Sequence, residues 1–178
     1  MIQALIFAAV VATTSAGAPP ATAPAGPAFK IEHPSTTYPG EEEVADYKHA
    51  AANAGTQPFE GDRMWKAFHE KAGTDRVVDE LVDRSLADPR ISDIFKSHDM
   101  VRLRRTLKEQ FCYILNGGCD YSGRDMKAVH KDMGLQNTDF NALVEHLQTA
   151  MDHEKIGFRD QNRFLAKLAP MQRQAVER

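Results

Sequence analysis

His130 is the residue whose type and surroundings point most directly to chemistry. Met126, Val129 and Met133 stand at i−4, i−1 and i+3 from it, so on a helix the imidazole shares an apolar face. An axial imidazole of a haem iron needs such dry, fixed surroundings. A histidine on an apolar helix face is nevertheless more often a core side chain bonded to a backbone carbonyl, and spacing alone favours that simpler interpretation.

The other residues that could carry chemistry form only weak patterns. His146 and His153 share a predicted helix face at i and i+7 but lack the closer partners of a zinc site, so we interpret both as solvated. His98 and Lys108 lie off the apolar stripe of their helix and are interpreted in the same way. The sequence contains no C-x-x-C, no phosphate-binding loop and no Ser-His-Asp signature.

The composition is that of a soluble globular protein with room for one domain. The chain has 178 residues, of which 42% are hydrophobic and 26% charged. Its 22 Lys and Arg residues are dispersed among 25 Asp and Glu residues, without a run or stripe that could follow nucleic-acid phosphates. We therefore expect no nucleic-acid partner.

The first 18 residues are predicted to be a secretory signal peptide. Residues 2–11 are almost wholly apolar, and Ala16-Gly17-Ala18 offers a cleavage site, although no Lys or Arg precedes Lys30. The apolar run is shorter than the roughly 20 residues that a transmembrane helix needs. We therefore expect export from the cytoplasm, to the periplasm, with no membrane segment in the mature form.

Residues 19–62 are predicted to be a flexible leader. They are rich in Pro, Ala, Gly, Thr and Glu and poor in the large apolar residues that would offset the entropy of ordering them. Residues 41–53 could form a short helix ending at Gly55. Its apolar positions are mostly alanine, so we expect its docking to be weak.

From Met64 onward, apolar residues recur at helical spacing, which predicts an all-α domain over residues 63–178. We expect five or six helices packed by ridges into grooves. The first long helix is predicted to have its cap at Thr74 and its stop at Asp88-Pro89, and a short turn follows over residues 91–95. The next helix has a predicted cap at Asp99 and a stop over residues 116–118, and a short segment around His130 runs up to Gly134. Of the last two helices, one is capped at Thr138 or Asp139 and the other runs from Phe158 to Pro170.

The order of motifs from about Trp65 onward resembles that of the group I truncated haemoglobins, the two-over-two globins. The runs that carry the resemblance are Phe68 to Gly73, Val77 to Asp79, Leu86 to Ile91, Phe95, Asp99-Met100, Gly117-Gly118 and Tyr121 to His130. The last run, with its Tyr-x-Gly motif followed by Met126 and His130, is the most specific. The resemblance implies a globin-like, truncated two-over-two helical sandwich.

The resemblance also implies the residues of a haem site. In this family the histidine of the last run is the proximal iron ligand, and that position is His130. The phenylalanine that wedges against the porphyrin corresponds to Phe95. The remaining residues expected to line the haem are Leu103, Leu107, Phe111, Tyr121, Met126, Val129, Phe140, Val144 and Leu147. Because C-x-x-C-H is absent, we expect a non-covalent haem b.

The distal side departs from the family. Many relatives carry a tyrosine and a histidine or glutamine that donate hydrogen bonds to bound oxygen, and an ungapped alignment places Val82, Thr106 and Leu107 at those positions. Thr106 and Gln110 are the side chains that could compensate. We therefore predict fast oxygen release and a relative preference for carbon monoxide.

Cys112 and Cys119 flank the end of the helix that precedes the His130 motif. Along one continuous helix they would be about 10 Å apart, too far to bridge, but Gly117 and Gly118 can turn the chain back. Export would favour a disulfide, and a similar pair occurs in an exported-looking subset of the family. One buried and one exposed thiol is nearly as favourable an alternative.

Three classes of function are compatible with these observations. The first is a monomeric globin that reversibly binds oxygen, carbon monoxide or nitric oxide. The second is a haem enzyme for nitric oxide dioxygenation or peroxide chemistry, with electrons from a separate reductase. The third is a haem-free helical interaction module. The missing distal donor argues mildly against the enzyme, so the gas-binding globin is our first hypothesis.

Overall fold

The structure, a computed structural model, describes residues 37–176. Over these residues the chain forms helices joined by loops and contains no strand. The all-α prediction is confirmed for this part of the chain. Its α-helices are α1 (Arg63–Ala67), α2 (Glu70–Ala87), α3 (Ser92–Lys96), α4 (Met100–Ile114), α5 (Met126–His130), α6 (Asn137–His153), α7 (Phe158–Leu168) and α8 (Gln172–Ala175), with short 3-10 helices at Ala51–Ala54 and Ala169–Met171. Within this range, no helix combines the length and apolar character needed to cross a bilayer. The predicted signal peptide and the first part of the predicted leader lie outside the described residues.

The core forms where α2 contacts α4 and α6, and where α7 packs on α6. Each of these helices carries apolar residues at spacings of three and four, so each has one face to bury. The rings of Phe68 and Phe111 both lie with their centroids 4.9 Å from that of Phe164, and all three side chains are buried. This aromatic cluster packs the end of α1, α4 and α7 against one another.

α2 begins earlier than the sequence predicts. The pattern places its first turn after Thr74, whereas the structure begins the helix at Glu70 and buries Thr74 within it. Ion pairs hold this extra turn, because Glu154 accepts from His69 Nδ1 at 2.8 Å and from Arg76 Nη2 at 2.6 Å. Glu154 follows α6, so a local pattern does not contain this partner.

The other limits of the long helices lie at or near their predicted positions. α2 ends before Asp88, and α4 begins after Asp99, whose Oδ1 accepts from the Arg102 N–H at 2.9 Å; both predictions are confirmed. The cap of α6 is Gln136, two residues before the earlier predicted position. Asp139 instead occupies the third position of the helix and accepts from the Gln136 N–H at 2.9 Å.

Within residues 37–62 the structure differs from the predicted flexible leader. The Glu41 side chain is 0% exposed, and Ala54 is likewise fully buried. The backbone N–H of Phe59 donates to the Ile114 carbonyl at 2.8 Å, which ties the segment to the end of α4. These contacts are made largely by polar groups, so hydropathy did not reveal them.

The short helix predicted over residues 41–53 is present only as a single 3-10 turn at Ala51–Ala54. Gly55 ends it with a φ of 84°, the left-handed conformation that glycine adopts without strain. A Cβ atom at Gly55 would lie 3.0 Å from Met126 Cγ, so the missing side chain also lets the backbone approach α5 closely.

Candidate functional site

α5 is a one-turn helix that presents His130 at its end. Asp125 caps it by accepting from the Ala128 N–H at 2.9 Å. His130 Nδ1 lies 2.7 Å from the Met126 carbonyl, one turn earlier. Because a carbonyl oxygen can only accept, Nδ1 carries the proton and Nε2 keeps its lone pair. Nε2 has no protein partner among the described residues.

The surroundings of His130 favour its neutral form. Burial lowers the pKa of the imidazole below its ordinary value, and the hydrogen bond to the Met126 carbonyl acts in the opposite direction. The net direction is downward, so the ring is uncharged at pH 7. A neutral imidazole with one free nitrogen is the form that ligates a metal.

The Tyr-x-Gly motif builds the loop that precedes α5. A Cβ atom on Gly123 would lie 2.2 Å from Tyr121 Oη, so the phenol occupies the space that any other residue would need. Tyr121 Oη donates to the Arg124 carbonyl at 3.1 Å. The phenol is buried, and burial raises its pKa well above the usual range. The motif therefore stabilises the turn from which α5 begins.

The apolar residues expected to line a haem fall into two groups. Leu107 packs on the main hydrophobic cluster, to which Phe111, Tyr121, Met126 and Leu147 belong. The other five lie outside that cluster with partly or largely exposed side chains: Phe95, Leu103, Val129, Phe140 and Val144. Val129 is 44% exposed next to His130. Open apolar side chains on α3, α4, α5 and α6 are what a flat apolar ligand would cover.

The four residues predicted for the distal side offer no free side-chain donor. Val82 is buried, and Leu107 is partly buried and apolar. Thr106 Oγ1 lies 2.9 Å from the Arg102 carbonyl and donates within its own helix. Gln110 Nε2 donates to the Ala54 carbonyl at 2.9 Å. The sequence carried no signal for this last contact, because Ala54 contributes only its backbone.

The two cysteines form a disulfide between the end of α4 and the loop before α5, with their Cα atoms 5.7 Å apart. Gly118, with a φ of 79°, turns the chain back toward the helix. A Cβ atom at Gly117 would lie 2.8 Å from Cys112 Sγ, so the return also requires a residue without a side chain there. The bridge links the predicted distal helix to the segment that leads to His130.

Of the other histidines, His98 and His153 are exposed as expected, but His146 is not solvated. Its side chain is only 12% exposed, and its Nε2 lies 2.9 Å from Asp88 Oδ2. Ser85 Oγ is 3.4 Å from its Nδ1, so a serine, a histidine and an aspartate lie side by side. Ser85 is fully buried and donates to a carbonyl of its own helix, so this group ties α2 to α6 and is no nucleophile.

Comparison with known proteins agrees with this geometry. Residues 65–177 match the family model of the bacterial-like globins. The chain is 32% identical to the group 1 truncated hemoglobin of Nostoc sp. (strain MUN 8820) over 97 residues, which cover 54% of this chain and 82% of that protein. It is 30% identical to the group 1 truncated hemoglobin of Tetrahymena pyriformis over 90 residues, 48% of this chain and 74% of that protein.

Solved structures show the same fold. The truncated hemoglobin of Tetrahymena pyriformis in its Fe(III) form superposes with a TM-score of 0.62 at 22% identity, covering 65% of this chain and 98% of that one. The 2/2 hemoglobin of Synechococcus sp. PCC 7002 gives a TM-score of 0.60 at 21% identity over 65% of this chain and 98% of that one. The predicted two-over-two helical sandwich is therefore confirmed.

The chain belongs to the bacterial-like globin family and is a truncated globin. It is a haem-binding globin for a diatomic gas. Its residues fit the cofactor, because His130 has a free Nε2 beside the exposed Val129 and other apolar side chains remain open to cover a porphyrin.

Proposed function

We propose that His130 Nε2 is the proximal ligand of a non-covalent haem b, at which the protein reversibly binds oxygen, carbon monoxide or nitric oxide. One observation carries the assignment: the Met126 carbonyl accepts from Nδ1 at 2.7 Å and fixes the tautomer whose Nε2 can ligate iron. When bound, the haem iron supplies the coordination position that takes the gas. This chain orients the imidazole, keeps it neutral and surrounds it with apolar side chains.

The experiment is a titration of purified protein with hemin, followed by its Soret absorption. We expect wild type to bind one equivalent and His130→Ala to bind weakly, with added imidazole restoring the wild-type spectrum. His98→Ala, which changes an exposed histidine outside α5, serves as the matched control and should behave like wild type. Equal uptake by wild type and His130→Ala would rule out the assignment.

Non-covalent attachment is supported by the cysteines. Both sulfurs are joined in the disulfide, so neither is free to form a thioether to the porphyrin. The Synechococcus relative carries covalently attached haem, so attachment differs among proteins of this fold. We expect acidified organic solvent to extract all haem from the folded protein, and mass spectrometry to show the mass of the bare chain. Haem retained on the polypeptide would contradict the proposal.

The residues predicted for the distal side support gas binding without a strong oxygen-stabilising donor. The hydroxyl of Thr106 and the amide of Gln110 already donate to carbonyls, and Leu107 is apolar. We propose fast oxygen release and a relative preference for carbon monoxide, because bound carbon monoxide depends less on a hydrogen bond than bound oxygen does. Enzymatic turnover with an external reductase would require one of these donors to become free.

We also propose that the protein is exported, to the periplasm, and acts as a monomer. The Cys112–Cys119 disulfide supports an oxidising compartment, as does the apolar start of the sequence. Among the described residues, the large apolar side chains that are exposed are Val101, Val129 and Phe158. Fractionation of cells would test export, and sedimentation of the purified protein would test the monomer.

A further inference from the structure

Residues 38–59, here called the N-terminal strap, run beside both helices that would face the haem. At the start of α4, the Glu42 N–H donates to Asp99 Oδ2 at 2.8 Å, and Arg102 Nη2 donates back to the Glu42 carbonyl at 2.6 Å. At the end of α4, the Phe59 N–H donates to the Ile114 carbonyl at 2.8 Å. The strap is therefore fastened to α4 at both ends of that helix.

Glu41 makes the buried ion pairs between the strap and α4. Its carboxylate is 0% exposed and accepts from Arg105 Nε, with Arg102 Nη2 3.4 Å away. Arg105 also lies over the ring of Tyr38, 3.8 Å from its centroid. A fully buried carboxylate is tolerated only when it is paired, and both of its charged partners belong to α4.

The strap reaches the loop before α5 through the same arginine and through two further contacts. Arg105 Nη1 donates to Ser122 Oγ at 2.5 Å. Tyr47 Oη donates to the Ser122 carbonyl at 2.7 Å, and Asn53 Nδ2 donates to the Gly123 carbonyl at 3.1 Å. Ser122 and Gly123 lie in the Tyr-x-Gly turn from which α5 begins.

The strap also contacts residues of both α4 and α5. The Ala54 carbonyl accepts from Gln110 Nε2 at 2.9 Å, and the same amide lies 3.6 Å from Met126 Sδ. Gly55 packs against the Met126 side chain. Met126 is the residue whose carbonyl holds His130 Nδ1, so the strap contacts the structure that orients the imidazole.

We propose that the N-terminal strap holds α4 and α5 at the separation and orientation that retain the haem, with Glu41 as its positioning residue. The inference rests on His130 holding the cofactor. The strap does not need to touch the haem, because it fixes the helix on one side through Arg102 and Arg105 and the turn leading to the other through Ser122 and Gly123. Without it, the two sides remain joined by the disulfide, by side-chain packing and by hydrogen bonds between Ser122 and the α4 residues Arg105 and Glu109.

The test compares Glu41→Gln and Glu41→Asp with wild type in the full chain. Glu41→Gln keeps the shape of the side chain but removes its charge from two partly buried arginines, whereas Glu41→Asp keeps the charge. Glu43→Gln, a change at an exposed glutamate two residues away, is the matched control. Two quantities are measured: the rate of hemin transfer to an excess of a haem-free acceptor globin, and amide hydrogen exchange of the haem-free chain.

We expect Glu41→Gln to lose hemin at least about tenfold faster than wild type, Glu41→Asp to be intermediate and Glu43→Gln to be unchanged. Hydrogen exchange should accelerate in residues 100–110 and 121–130 and stay at the wild-type rate in α2 and α7. Hemin loss at the wild-type rate in Glu41→Gln, or faster exchange spread evenly over all helices, would overturn the inference. Failure of the proximal assignment is a separate result, seen when His130→Ala retains hemin as well as wild type.

Discussion

At the scale of single residues, the site depends on which hydrogen bonds are already made. His130 Nδ1 is held by the Met126 carbonyl, so one nitrogen is fixed and the other is free. Of the residues predicted for the distal side, Thr106 Oγ1 and Gln110 Nε2 both donate to carbonyls. The same rule, that a buried donor finds an acceptor, thus supports both the proposed proximal ligand and the proposed lack of a distal donor.

Introducing a donor should slow oxygen release. Leu107 is partly buried on α4 and has nothing to offer a bound oxygen, which carries partial negative charge. A hydrogen bond there is worth about 1 to 3 kcal/mol, so Leu107→Gln should lower the oxygen dissociation rate roughly 5- to 150-fold relative to wild type. Stopped-flow displacement of oxygen by carbon monoxide measures this rate.

The control for that change is Leu107→Met, which keeps an apolar side chain of similar size without a hydrogen-bond donor. It should release oxygen nearly as fast as wild type. A slow wild-type rate, equal to that of Leu107→Gln, would mean that another group already donates to the bound gas and that the distal assignment is wrong.

At the scale of elements, the sequence predicted what depends on local chemistry and missed what depends on distant partners. Asp99 was predicted as the cap of α4 because a capping carboxylate needs only the following turn. The first turn of α2 was missed because Glu154, 84 residues beyond Glu70, holds it. The strap was missed for the same reason, because Glu41 shows no apolar periodicity and its partner Arg105 is distant in sequence.

The contacts of Glu154 with His69 and Arg76, which join α2 to the end of α6, should make the free energy of unfolding depend on pH in the acid range. The pKa of Glu154 is about 2, below its usual 4.5. Hydrogen bonds from Arg76 lower it most, burial acts in the opposite direction, and a hydrogen bond from His69 lowers it further. A depressed pKa in the folded state stabilises the protein above the unfolded value, and this contribution is lost as pH falls from about 4.5 to about 2. Glu154→Gln should therefore lower the free energy of unfolding by about 1 kcal/mol at pH 7.

Urea unfolding at pH 7 and pH 3 measures this effect. The difference between wild type and Glu154→Gln should shrink at the lower pH, because at pH 3 the wild-type carboxylate is mostly protonated in the unfolded chain. Asp93→Asn, which changes an exposed carboxylate on α3 whose pKa is also lowered by its lysine neighbour, is the control and should alter the free energy of unfolding little at pH 7. A constant difference at both pH values would show that Glu154 acts without its charge.

The disulfide should stabilise the connection between α4 and α5. It closes a loop of seven residues, for which chain entropy gives about 2 kcal/mol. The double variant Cys112→Ser/Cys119→Ser should therefore unfold at lower urea concentration than wild type. Adding a thiol reductant should bring wild type to the midpoint of the variant and leave the variant unchanged. A wild-type midpoint that ignores the reductant, with free thiols confirmed, would contradict this stabilisation.

At the scale of the whole molecule, the family match and the folded unit have different limits. The match to the bacterial-like globins covers residues 65–177, close to the domain predicted over residues 63–178. The structure nevertheless packs residues 41–59 onto that domain through buried contacts. Hydropathy and the family pattern both describe the helices of the globin domain, and neither includes a segment held mainly by polar groups.

Removal of that segment should therefore destabilise the globin domain itself. A chain beginning at residue 63 exposes the surface that Ala54 covers and leaves Arg102 and Arg105 without the buried carboxylate of Glu41. We expect its free energy of unfolding to be at least about 2 kcal/mol below that of a chain beginning at residue 19, because the ion pairs of Glu41, the hydrogen bonds of the strap and the burial of Ala54 are all lost. Urea unfolding followed by circular dichroism measures both chains. Equal stability would show that residues 37–62 lie on the domain without contributing to it.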